Sequence, residues 1–341
     1  MKSWIIPHTC DLSTEIEPLR LAEMPVPTPR QGQLLLKIKA CGVCHTEIDE
    51  IEGRTPPPTF PVIPGHQVIG VIEEHNGIRR DIHCGERVGV AWIFSACGQC
   101  PHCMSGQENL CHRFIATGRD VHGGYAEYMI ADEQFVYKIP EIFSDAEAAP
   151  LLCAGAIGYR SLSLCNLRTG NSLGLTGFGA SAHLVLKLVQ FQYPDTDIYV
   201  FARSKSEREF ASQLGCKWTG DIIERPPVEM DCIIDTTPVW NTVVEALACL
   251  KPGGRLVINA IRKEESDKAC LMNLQYPAHL WMEKEIKSVA NVTRHDVASF
   301  IRLAAGIPFK PEVEEYPFER ANQAVLDIKN RKIKGAKVLC I

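Results

Sequence analysis

No run of about 18 or more apolar residues occurs in this chain of 341 residues, so no membrane-spanning helix is expected. The opening residues, MKSWIIPHTCDLSTEIEP, hold neither a long apolar core nor a small-residue cleavage site, and no secretion signal is expected. Charge of either sign is not in large excess: 36 lysines and arginines stand against 41 aspartates and glutamates, a net charge of -5. That balance disfavours a nucleic acid or an anionic membrane surface as the main partner. Internal repeats and low-complexity segments are also missing. What remains is an ordinary globular composition, 45% apolar and 23% charged, long enough for about two domains with buried cores.

Cysteine is the residue in surplus. Fifteen cysteines, an odd number in a chain without a secretion signal, are expected to be reduced thiols of a cytoplasmic protein, some of them metal ligands. Four of them, Cys97, Cys100, Cys103 and Cys111, fall within the fifteen residues CGQCPHCMSGQENLC. The short gaps let neighbouring thiolates turn toward one centre, and the longer gap lets the chain loop back with the fourth. Four soft sulfur donors suit a closed, tetrahedral zinc site that holds structure and does not react. A nucleic-acid-binding zinc ribbon would carry two separated CxxC pairs, whereas here three cysteines are crowded together.

Residues 1 to about 150 read as β-rich. QLLLKIKACGV alternates as a strand does, and VIGVIEEH and ERVGVAWIF are further strands. GGYAEYMIADEQFVYKIP reads as two short strands around a turn. The prolines of TPPPTFPVIPGH exclude a helix there. After Pro150, short apolar strands alternate with helix-forming runs. SEREFASQLG is a helix closed by Gly215, and VWNTVVEALACLKPGG is a helix ended by Pro252, Gly253 and Gly254. DIYVFARS, DCIIDTT and GRLVINAI are strands. This alternation predicts a parallel sheet covered by helices on both faces. Near the end, ERANQAVLDIKNRK reads as a helix and GAKVLCI as a strand.

TGFGASAH carries Gly177, Gly179 and Ala182 in the pattern GxGxx(G/A), after the strand Ser172–Thr176 and opening a helix at Ala180. Gly177 would permit the tight turn, Gly179 the approach of backbone amides to a pyrophosphate, and Ala182 close helix packing. The next strand ends in Ala202, Arg203, Ser204 and Lys205 instead of a carboxylate. Two cations and a hydroxyl favour a ribose 2′-phosphate, hence NADP(H) over NAD(H). Arg203 stacked on the adenine would serve either cofactor.

Three more candidate ligands lie outside the four-cysteine lobe: Cys44 in CGVCHTE, His66 in PGHQ and Cys153 in PLLCAG. Each alone reads as an ordinary residue, and a lone cysteine before an apolar segment is usually core. Together they make a Cys2His set with a fourth position open, which is the catalytic pattern for zinc.

The motifs CGVCHTE, PGHQVIGVI, CGQCPHCMSGQENLC, GGYAEY, PLLCAG and TGFGASA run in order over nearly the whole chain. On them the sequence resembles the zinc-dependent alcohol dehydrogenases of the medium-chain dehydrogenase/reductase superfamily. The resemblance implies an α/β protein with a β-rich part. A GroES-like catalytic domain would span 1–150, with the structural zinc lobe at 97–111. A Rossmann domain would span 151–288, and residues 289–341 would complete the catalytic domain. It assigns Cys44, His66 and Cys153 to a catalytic zinc and Cys97, Cys100, Cys103 and Cys111 to a structural zinc, two ions per chain. It places Thr46 on the substrate oxygen, His45 near the cofactor pyrophosphate and Trp92 in the alcohol cleft. The implied reaction is reversible hydride transfer between a primary or secondary alcohol and NAD(P). Zinc would lower the pKa of the bound hydroxyl and hold the alkoxide. Thr46 would pass the proton toward Asp49 or solvent. Relatives form dimers and tetramers, so a homodimer or homotetramer is expected, with a small alcohol or aldehyde as the partner.

The chain departs from the family at several positions. The glutamate that usually follows the ligand histidine is Gln67, a poorer ligand for a dication. The family's aspartate is Glu47, one methylene longer, which would orient His66 through its other ring nitrogen. The relay position, often histidine, is Asp49, an acid whose reference pKa of about 3.9 suits a relay near neutrality less well; the alternative is a surface acid. Gly335 is followed by Ala336, with Lys334 and Lys337 nearby, where relatives carry an arginine. An inactive, zinc-stabilised binding protein would have lost Cys44, His66 or Cys153, and zinc-free quinone or enoyl reductases lack both metal sets. Polyol, threonine and cinnamyl-type dehydrogenases share the reaction class, because pocket shape decides the alcohol.

Overall fold

In the computed structural model, which describes residues 1–307, 310–330 and 335–341, the first part of the chain is built from short strands. These are β1 (Lys2–Ile5), β2 (Arg20–Glu23), β3 (Gln33–Val43), β4 (Gln67–Asn76), β5 (Arg87–Val90), β6 (Ile93–Ser95), β7 (Ile115–Ala116), β8 (Tyr128–Asp132) and β9 (Val136–Lys138). Helices α1 (His45–Ile51) and α2 (Pro101–Met104) lie between them, and α3 (Asp145–Ala148) follows. Strands and helices then alternate: α4 (Ala154–Cys165), β10 (Ser172–Thr176), α5 (Ala180–Gln192), β11 (Asp197–Phe201), α6 (Lys205–Gln213), β12 (Trp218–Gly220) and β13 (Met230–Asp235). The alternation continues with α7 (Asn241–Ala248), β14 (Leu250–Ile258), α8 (Tyr276–His279) and β15 (Glu285–Ser288). The chain closes with α9 (Arg294–Gly306), β16 (Val313–Pro317), α10 (Ala321–Lys329) and β17 (Ala336–Cys340).

Two units result: Met1–Cys153 with Val292–Ile341, and Ala154–Asn291. The boundaries expected from the sequence, after 150 and after 288, fall a few residues earlier.

In the first unit, β3 is the hub of a seven-stranded sheet ordered β16-β17-β3-β4-β5-β9, and β8 also pairs with β3. Alternation sends Leu34, Leu36 and Ile38 into one core with Val68, Ile72, Val88 and Val90 from the neighbouring strands. The antiparallel register sets Gly42 opposite Gln67, so the ends of β3 and β4 that lead to Cys44 and His66 lie side by side. The last strand pairs with β3 on the side away from β4, with Lys337 opposite Val43.

The second unit is an all-parallel sheet ordered β12-β11-β10-β13-β14-β15, the doubly wound arrangement. Its central strands are buried on both faces, as Leu173, Leu175, Val200, Ile233, Ile234, Leu256 and Val257 show. Strand order reverses between β10 and β13, where such folds bind ligands.

Two expectations are corrected. Helix α7 stops at Ala248, and Pro252, Gly253 and Gly254 belong to β14, not to a helix end. Gly253 at φ +71 and a register shift between Met230 and Cys232 accommodate them. Second, not all cysteines are free. Cys165 of α4 packs on Cys232 of β13 with Cα atoms 5.9 Å apart, and the two form a disulfide; the other thirteen are unpaired. The consecutive helical segments of Asp145–Cys165 make a 21-residue run long and apolar enough to cross a membrane by length and composition alone, which does not overturn the expectation of no span. Of its most apolar 18-residue window 61% is buried within the protein, as for core helices, and Pro150 interrupts the run.

Candidate functional site

Cys44, His66 and Cys153 converge in the first unit, with their donor atoms all within 4.8 Å of one another. Local structure explains each placement. Cys44 leaves β3 in an extended conformation and caps α1, its Sγ accepting the N–H of Thr46 at 3.4 Å. Glu47, three residues on, completes a capping box by accepting the Cys44 N–H at 2.7 Å. The same carboxylate places its other oxygen 2.7 Å from Nδ1 of His66. Glu47 therefore braces two of the three donors at once. His66 turns Nε2 inward, 3.7 Å from Cys44 Sγ and 3.3 Å from Cys153 Sγ. Cys153 ends the tight turn Ala149–Leu152, whose leucines are fully buried.

The electrostatics of this cluster suit a cation. The Cys44 thiol is pushed well above the ordinary thiol range by Cys153, by burial and by Glu47. Burial lowers the affinity of His66 for a proton, but Glu47 and Cys44 outweigh it and raise its pKa well above normal. Cys44 and His66 thus hold their protons tightly, and a dication competes for the same lone pairs. With soft sulfur and imidazole donors and an acid behind the histidine, the set fits zinc.

The sulfurs of Cys97, Cys100, Cys103 and Cys111 also lie within 4.8 Å of one another. Pro101 opens α2, and Cys100 caps it by accepting the Cys103 N–H at 3.5 Å, while Cys111 accepts from the Arg113 N–H at 3.4 Å. The Cys97 thiol is lowered to about 5, first by the backbone N–H of Gln99, then by Arg113 and the N–H of Cys100. Four sulfurs already turned toward one centre by such N–H groups fit a closed zinc site. The lobe is tied down by a residue that sequence reasoning missed. Glu108, buried, accepts from the backbone N–H and the Nε of Arg294 at 2.7 and 3.1 Å.

In the second unit the turn after β10 has the features a pyrophosphate requires. Gly177 sits at φ +75, and a Cβ there would stand 2.9 Å from Thr236 Oγ1. Gly179 precedes α5 without a side-chain cap, and a Cβ on it would meet no protein atom within 4 Å. The N-terminal N–H groups of a thirteen-residue helix thus face space that its own chain leaves open. Ala182 is fully buried. At the end of β11, Ala202 is buried and Arg203 is exposed. Ser204 is already engaged: its hydroxyl caps α6 and lies 2.7 Å from Glu207 Oε2. Lys205 is exposed and 3.5 Å from Glu209.

Other positions singled out by the sequence are more scattered. Thr46 is half-buried in the first turn of α1 and His45 is exposed. Trp92 lies between β5 and β6, half-buried, with the Arg119 guanidinium over its ring at 5.7 Å and Phe114 at 5.2 Å. Gln67 is buried over Gly42, where a Cβ would stand 2.7 Å from its Oε1. Asp49 is not a surface acid: it is 4% exposed and accepts Arg54 Nε at 2.6 Å. Lys337 is buried against Glu314 and Tyr316, and Lys334 lies outside the described residues. The sequence reading also missed Glu50, a buried carboxyl one turn beyond Glu47. Burial and the charge of Glu47 push its pKa well above the usual range.

Comparison with known proteins identifies the family. The alcohol dehydrogenase GroES-like domain family matches residues 30–141. A probable alcohol dehydrogenase of Mycobacterium tuberculosis is 39% identical, with 100% of this chain and 97% of the relative covered. Among solved structures, a cinnamyl alcohol dehydrogenase from Sorghum bicolor superposes with a TM-score of 0.86 at 23% identity, over 99% of this chain and 97% of that one. A cobalt- and zinc-bound thermostable alcohol dehydrogenase from Pyrobaculum aerophilum gives 0.84 at 20% identity, over 100% and 99%. The two structural likenesses establish the shared fold, and the end-to-end sequence identity goes further: this chain belongs to the zinc-type medium-chain alcohol dehydrogenase family and is an oxidoreductase acting on alcohols.

Proposed function

We propose that the enzyme interconverts a primary or secondary alcohol with its aldehyde or ketone, using a nicotinamide dinucleotide and two zinc ions per chain. The observation that carries this reading is the convergence of Cys44, His66 and Cys153, backed by Glu47. These three residues would hold the catalytic zinc, whose Lewis acidity makes an alcohol hydroxyl acidic near neutral pH. The lobe of Cys97, Cys100, Cys103 and Cys111 would hold the structural ion. The dinucleotide supplies the hydride acceptor, held by the Gly177–Ala182 turn.

The protein's own groups then have defined tasks. Glu47 orients His66 and keeps its Nε2 directed at the sulfurs. Thr46, two residues after Cys44, accepts the substrate proton at Oγ1 and passes it outward. Asp49 is the acid that follows Glu47 on α1, but its Oδ1 already accepts Arg54 Nε, which supports a bracing task for Asp49 over a proton-carrying one. Arg203 is the main reader of a 2′-phosphate, because Ser204 is committed to α6 and Lys205 leans toward Glu209. NADP(H) is therefore favoured over NAD(H), with Arg203 as its determinant. Two further proposals concern the whole protein. The thirteen unpaired cysteines suit a reducing, cytoplasmic setting. Edge strand β15, exposed along its length, with Trp281 and Met282 exposed just before it, suits pairing with a second copy in a homodimer or homotetramer.

The test is a metal count joined to an assay. Purified protein should carry about two zinc ions per chain. It should consume NADPH, followed by its absorbance, with an aldehyde panel. Cys44→Ser and Cys153→Ser should lose activity and about one zinc each while the lobe keeps its ion. Full activity in either variant would end the proposal.

A further inference from the structure

Among the described residues, the most enclosed ion pair outside the two cysteine clusters joins Asp235, the last residue of β13, to Lys263 in the loop after β14. Side-chain exposure is 0% for the aspartate and 8% for the lysine. Every N–H of the ammonium is used: one on Asp235 Oδ2, one on the Thr237 carbonyl at 2.8 Å and one on the Val239 carbonyl at 3.0 Å. The other carboxylate oxygen, Oδ1, accepts the Thr176 hydroxyl at 2.6 Å, the Thr237 hydroxyl at 2.9 Å and the Thr237 N–H at 3.2 Å.

Position in the fold gives this network its meaning. Thr176 and Asp235 are register partners at the carboxyl ends of β10 and β13, the two strands that flank the reversal of strand order. That crevice is where doubly wound sheets hold their ligand. Residues 236–240 leave the sheet there and have no strand neighbour to fix their carbonyls. Lys263 supplies the donor to Thr237 and a second one to Val239, whose carbonyl also accepts the Thr242 hydroxyl at 2.9 Å, and so pins this segment to the loop after β14. Two backbone bonds support the same junction, Asn259 N–H to the Asp235 carbonyl and Glu264 N–H to the Pro238 carbonyl, both 2.7 Å. The pinned segment abuts the dinucleotide turn, since Thr236 and Thr237 fill the space beside Gly177. A buried ion pair is a weak device for stability, and apolar replacements often serve as well. What it supplies is directional geometry.

We infer that Lys263, acting with Asp235, is a positioning residue for the dinucleotide: it sets segment 236–240 as one wall of the cofactor crevice. This rests on the dinucleotide reading above. The test measures NADH and NADPH dissociation constants by nicotinamide fluorescence, with zinc content and turnover at saturating cofactor alongside. Lys263→Met should weaken both cofactors about tenfold or more, the cost of a lost charged hydrogen-bond set. Zinc content should not change, and turnover at saturation should stay within about threefold. Because Lys263→Met strands a buried carboxylate and risks unfolding, Asp235→Asn/Lys263→Gln provides a charge-free partner and should show the same loss of cofactor affinity. In Lys263→Ala, ethylammonium should restore binding and tetramethylammonium, which has no N–H, should not. Wild-type affinity in the double variant, or rescue by both ammonium ions, would overturn the inference. If the wild-type protein binds neither NADH nor NADPH, the dinucleotide reading itself fails.

Discussion

Glu47→Gln is the most informative perturbation of the metal cluster. The native carboxylate offers two acceptors, one for the Cys44 N–H and one facing His66 Nδ1, each at 2.7 Å. An amide offers one acceptor and one donor, so it satisfies one partner and confronts the other with an N–H. The change removes one charge-assisted hydrogen bond, about 1.5–3 kcal/mol. It also weakens the α1 capping box, whose loss costs about 0.5–2 kcal/mol of stability in the first unit. Catalytic zinc affinity should fall about 10- to 100-fold, the range seen when groups behind a ligand histidine are altered. The assay is dialysis against a graded chelator followed by metal analysis. The four-cysteine lobe serves as an internal control, because it shares no residue with Glu47. Wild-type protein should retain both ions at a chelator strength where Glu47→Gln retains only the lobe's. Equal retention of both ions by the two proteins would refute the bracing argument.

The other predictions are narrower. Arg203→Ala should raise the dissociation constant for NADPH about tenfold and leave that for NADH nearly unchanged; equal effects on both would return Arg203 to adenine stacking. Asp49→Asn should leave the pH profile of turnover in place and lower thermal stability through loss of the Arg54 contact; a shifted profile would restore Asp49 to the proton path. His183, buried on α5, has its pKa lowered to about 4 by burial. It is neutral when folded but takes up a proton near pH 6.5 when unfolded, so its contribution is complete above about pH 6.5 and is lost as pH falls toward about 4. The full loss is about 3 kcal/mol. Urea titrations across that window should show a slope that His183→Asn reduces, and equal slopes would refute the assignment.

The sequence alone determined the chemistry. Four cysteines in fifteen residues, the CGVCHTE and PGHQ segments and the GxGxxA turn are local patterns, and bond lengths limit what such spacings can do. It also determined the main strands, because alternation in β3 and apolar runs in β10 and β13 are read one residue at a time. One local signal was legible and passed over: Thr293 and Asp296 form a capping box ahead of the apolar stripe Val297, Phe300, Ile301 and Ala304, which is α9. Helix α1 was not legible, since HTEIDEI is too short to show a period and is held by its cap on Cys44. Only the tertiary structure decided which charges and thiols meet. Glu108 finds Arg294 across 186 residues, Cys165 finds Cys232 across 67, and Lys263 reaches Asp235 across 28. Such pairings depend on strand register and helix packing, which no local window contains; the burial of Asp49 against Arg54, five residues on, is likewise set by how α1 packs and removes the surface-acid alternative.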